Sequence, residues 1–143
     1  MNYSELIQLY FDRSNALQNY WTLYVVIIGG LLAFSSLRKQ TAALTTAIVS
    51  VLFALFAYEN LSAIQATAAH RFAALDAIKA SEGTAPDVSR LRGSLEPKLQ
   101  PASHGSMLMT HVISDLLTIA ALWAMELRRR KLHGTGAHTL NDV

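Results

Sequence analysis

The sequence predicts an all-α integral membrane protein with three transmembrane helices, a long extended second helix and an amphipathic N-terminal helix. Hydrophobic residues make up 52% of the 143 and charged residues 15%, against about 25% charged in an ordinary soluble domain. The apolar residues gather in three blocks, each near the ~20 residues needed to cross a hydrocarbon core about 30 Å thick. The first two blocks lack the polar face that a soluble helix of that length carries.

Residues 1–19 are polar but patterned. Tyr3, Leu6, Ile7, Tyr10, Phe11 and Leu17 recur at helical spacing and leave Glu5, Gln8 and Asp12 largely off the stripe. This fits a short amphipathic helix along the membrane surface, or equally a first helical turn packed on the bundle. Ala33-Phe34-Ser35 has the small residues of a signal-peptidase site. The stretch before it is long, acidic at Glu5 and Asp12, and has no basic start, so a retained span is expected.

The first span covers 20–37. Tyr20, Trp21 and Tyr24 open it, where amphipathic rings favour the headgroup level. Gly29 and Ala33 form a small-xxx-small pair, a candidate helix-packing face. After Arg38 and Lys39 the second span covers 41–58. Its helical pattern continues to about residue 81 through Leu61, Ile64, Ala68, Phe72, Leu75 and Ile78. No Gly or Pro interrupts it before Gly83. This predicts a rod that outruns the bilayer, its apolar stripe covered by the N-terminal segment or by a neighbouring subunit.

Residues 82–106 contain all three prolines and read as an outward loop with one short helical turn at 87–92. The third span covers 107–127. A basic cytoplasmic tail, 128–143, follows, and its end, GTGAHTLNDV, lacks apolar periodicity and is expected to be disordered.

Arg38, Lys39, Arg128, Arg129, Arg130 and Lys131 fall at block ends that three spans put on one side. Positive charge marks the cytoplasmic side, and these residues serve as topology and lipid anchors. Residues 59–106 carry five Lys/Arg and five Asp/Glu and pull neither way. The expected location is a bacterial inner (plasma) membrane, with the N-terminus outside and the C-terminus cytoplasmic. A net charge of +2 gives no nucleic-acid signal. With no cysteine there is no disulfide, thiolate metal site or cysteine nucleophile.

The third span begins HGSMLMTHVISD. At 3.6 residues per turn, His104, Met107, His111, Asp115 and Thr118 fall within an arc of about 80°, bordered by Ser114. Asp115 lies about 12 Å along the axis from Met107, near the bilayer midplane. A carboxylate at that depth costs about 2.5–3.5 kcal/mol or more, so it faces protein or water rather than lipid.

Three functions follow. In an ion- or proton-conducting protein, His111 and Asp115 titrate, while Ser114 and Thr118 extend the path. Three spans enclose no pore, so that reading requires a homo-oligomer with the third span on its axis. In a structural or accessory subunit, the same face hydrogen-bonds to a neighbouring helix. In a copper- or haem-binding protein, His104, Met107 and His111 supply imidazole and thioether ligands, and His70 is a further donor. A conventional enzyme ranks last, because no phosphate loop, nucleophile elbow or zinc-protease motif is present. Expected partners are membrane lipids and a second copy or a partner membrane subunit.

Overall fold

The computed structural model describes residues 2–80, Gly93, Leu99 and 102–138, with 133–138 given by backbone only. The proposed turn at 87–92 and most of the 82–106 loop lie outside the described residues, as does the tail from 139 onward. The described residues form three long helices: α1 (Tyr3–Leu37), α2 (Ala43–Ala80) and α3 (His104–His138). All three are long and apolar enough to cross a membrane.

The N-terminal amphipathic segment and the first span are one continuous helix, α1. Its start is fixed locally. The Asn2 carboxamide accepts from the Glu5 amide at 2.9 Å, and the Glu5 carboxylate accepts from the Asn2 amide at 2.8 Å. This reciprocal pair satisfies two donors that a helix start leaves open. Ser103 caps α3 with a single bond, accepting from the Ser106 amide at 3.2 Å. At its far end α3 runs on to His138, through part of the segment read as disordered. Leu127 to Lys131 are good helix formers, and helix once started extends at little cost per residue.

The chain divides into two compact units. The first comprises Met1–Thr22 and Leu61–Leu108. Its interior is apolar: Leu6 and Tyr10 pack with Ala74, Leu75, Ile78 and Leu99. Further along, Leu17 packs with Ile64, Ala68 and Met107. The N-terminal stripe therefore covers the stripe of the α2 extension within one chain.

The second unit comprises Leu23–Asn60 and Met109–Val143, and its polarity is inverted. Ser35, Thr46, Ser50, Asn60, His111, Thr118 and Glu126 are buried. Val25, Val26, Leu44, Val51, Leu52, Leu55, Leu116 and Leu117 are each 60% exposed or more. Among the described residues, every large exposed hydrophobic except Phe11 and Leu108 belongs to this unit. A polar interior beneath so large an apolar surface does not suit water and does suit hydrocarbon, where polar groups must be satisfied internally.

Gly29 and Ala33 lie on the exposed face of α1, and a Cβ built on Gly29 meets nothing within 4 Å. The small-residue pair therefore brings no described helix of this chain close. Tyr24 and Ser35, buried at 2% exposure each, turn the opposite face of α1 inward.

Candidate functional site

Four polar residues meet inside the second unit. His111 has no exposed surface, and Asn60 and Tyr24 are 5% and 2% exposed. The Asp115 side chain, at 20%, is the least enclosed. Helical i, i+4 spacing stacks Asp115 one turn from His111 on α3, and Nδ1 of His111 lies 2.9 Å from Asp115 Oδ2. Tyr24 on α1 donates its hydroxyl to Asp115 Oδ1 at 2.7 Å, with the His111 carbonyl oxygen 3.2 Å away. The Tyr24 ring also lies against the imidazole, centroids 4.2 Å apart. Asn60 on α2 completes the group, its amide nitrogen 3.2 Å from His111 Nε2.

Roles follow from the donor inventory. Nδ1–H donates to the carboxylate, so a neutral ring leaves Nε2 to accept from the Asn60 amide. If the ring is an imidazolium, Asn60 serves it equally by turning its carbonyl oxygen inward. Both carboxylate oxygens and both ring nitrogens have partners, drawn from all three helices. Satisfied networks of this kind hold a core in one arrangement, whereas a missing member leaves a costly unpaired group.

A second cluster sits where α1 turns into α2. The Glu126 carboxylate on α3 is fully buried and lies 3.7 Å from Arg38, 3.5 Å from Arg129 and 3.4 Å from Arg130. It also accepts from the Ala42 amide at 3.0 Å and the Thr46 hydroxyl at 3.4 Å. Ala42 precedes α2 and has no side-chain oxygen to cap it, so α3 supplies the anion that a helix N-terminus favours. Arg129 acts on the other helix, donating to the Ser35 carbonyl at 2.6 Å and the Arg38 carbonyl at 3.3 Å. Cations at a helix C-terminus satisfy its open carbonyls. One turn of α3 thus caps the end of α1 and the start of α2.

Of the remaining residues singled out in the sequence, Ser114 meets the group through a side-chain hydrogen bond with Tyr24, and the others lie outside it. Thr118 is buried but donates to the Ser114 carbonyl of its own helix at 2.7 Å, so its hydroxyl does not extend the Asp115 chain. His104 stacks on Phe72 with centroids 4.6 Å apart. Met107 is part of the apolar cluster around Ile64, and His70 is exposed. With both His111 nitrogens occupied, the proposed His104/Met107/His111 ligand set for copper or haem is not assembled. Among the described residues no group of three or more His, Cys, Asp or Glu is placed to hold a metal ion. Arg128 and Lys131 are exposed on α3 just past the third apolar block, and Lys39 is exposed in the turn.

Tyr24, Asn60 and Glu126 join the site residues only in the folded chain. Tyr24 stands among aromatic residues that mark a membrane interface, and Asn60 stands one residue past an acidic one. Glu126 did carry a signal, a carboxylate in the last turn of a span with arginines three and four residues on. No protein family, curated protein or solved structure matches this chain.

Proposed function

We propose that this chain is a structural or accessory subunit of a bacterial inner-membrane assembly, with its N-terminus outside and its C-terminus in the cytoplasm. The observation that carries this reading is His111. It has no exposed surface, and both ring nitrogens are met by side chains of the same chain. A residue enclosed in this way does not line an axis shared between copies. The polar face of α3 therefore supports a lock between helices, and the apolar exterior of the second unit supports contact with lipid and with a partner membrane subunit.

The test is ion and proton flux in liposomes holding the purified chain, alone and as Asp115→Asn. The expected result is background flux for both proteins, with a lower unfolding midpoint for the variant. Wild-type flux above background that the variant loses would overturn the structural reading in favour of conduction. That second reading draws on one feature, the continuous Tyr24–Asp115–His111 hydrogen-bond chain. It places the path inside one chain rather than along an oligomer axis.

A further inference from the structure

Arg38, Arg128 and Arg129 line a cavity of about 280 Å³ together with Ser36, Met125 and Leu132. Among the described residues its charge is not balanced locally. Glu126 is one carboxylate shared by Arg38, Arg129 and Arg130, which leaves a surplus of two positive charges. Arg128 adds a third, and among the described residues it has no hydrogen-bond or ion-pair partner. Arg129 Nε is buried without a hydrogen-bond partner, an unmet donor on a guanidinium whose other nitrogens are occupied.

These donors suit one kind of ligand. Guanidinium groups present N–H pairs matched to the oxygens of a phosphate. The other part of the lining is apolar, through Met125 and Leu132, and Leu127 and Leu132 leave 52% and 67% of their surface exposed alongside. A free phosphate leaves that apolar part bare. A phosphate joined to hydrocarbon uses both parts, and the third apolar block ends at Leu127, where headgroups meet a span. Basic pockets at the ends of spans are suited to anionic headgroups.

We propose that this cavity binds the phosphodiester of an anionic phospholipid, with Arg128 as the principal donor, Arg38 and Arg129 adding positive charge, and Met125 and Leu132 against the start of the acyl region. The site is independent of the Tyr24–Asp115–His111–Asn60 network, so its test stands whether or not the structural reading holds.

The experiment is native mass spectrometry of the full chain in detergent, titrated with phosphatidylglycerol, phosphatidylcholine or inorganic phosphate. Phosphatidylglycerol should be retained in preference to phosphatidylcholine, and millimolar inorganic phosphate should not displace it. Arg128→Gln should weaken phosphatidylglycerol binding about fivefold, the loss expected for one cation near a headgroup. Arg13→Gln removes the same charge outside the cavity and should leave binding unchanged. Ser36→Asp approaches the cavity from α1 and should weaken binding to a similar degree, which covers the case of a misfolded Arg128 variant. Equal retention of both lipids, equal losses in the Arg13 and Arg128 variants, or displacement by phosphate would each overturn the proposal. The last outcome would assign the cavity to a soluble anion.

Discussion

If the buried network holds the three helices together, Tyr24 and Asp115 must be energetically coupled, and a double-mutant cycle measures that coupling. Tyr24→Phe removes the hydroxyl without changing the ring against His111, and Asp115→Asn removes the charge without changing the shape. In water-soluble proteins a hydrogen bond to a charged group contributes about 1.5–3 kcal/mol. Between helices in a bilayer, measured couplings average about 0.6 kcal/mol and reach about 1.7 kcal/mol, because the unfolded chain in lipid also finds partners. The bond here is short, 2.7 Å, and accepted by a carboxylate, which places it in the upper part of the membrane range. Two features reduce it: the Asp115 side chain keeps 20% of its surface exposed, and the His111 carbonyl gives the hydroxyl another acceptor at 3.2 Å. The expected coupling is therefore about 1 kcal/mol. The assay is unfolding by SDS in mixed micelles, followed by helical circular dichroism and by the fluorescence of Trp21 and Trp123. Additive single losses, with a coupling within about 0.3 kcal/mol of zero, would refute the idea that this group locks α1 to α3.

Two other perturbations separate the apolar unit from the helix-end cluster. Ile78→Ala, at a position with no exposed surface beside Leu6 and Tyr10, should cost about 2–5 kcal/mol. It should also speed proteolysis of the N-terminal part of α1, and a protection pattern equal to wild type would show that this packing contributes little. Glu126→Ala should leave Arg38, Arg129 and Arg130 without their shared carboxylate and the start of α2 without its cap. Faster amide exchange at Ala42, measured by hydrogen–deuterium exchange, is the expected sign, and unchanged exchange would mean that other groups hold the turn.

The residue pattern alone is enough to place the three helices, their membrane-crossing length and the stripe on the α2 extension. That stripe, Ile64, Ala68, Leu75 and Ile78, was legible because water on the outer side requires polar residues there, so spacing separates inside from outside. The i, i+4 placement of His111 and Asp115 was legible for the same reason, since helix geometry alone makes them neighbours. Which faces of the second unit turn inward is set by packing and cannot be read from the pattern. There an apolar side chain is acceptable both against lipid and against another helix, so hydropathy carries no inside–outside signal. Gly29 and Ala33 have the composition of a packing face and lie exposed, while Tyr24 has the position of an interfacial ring and is buried against His111. Asn60 and Glu126 acquire their roles from atoms 51 and 84 residues away in the chain. Partners at that separation meet only when the helices pack, and satisfying buried polar groups, rather than segregating apolar ones from water, selects the faces that meet.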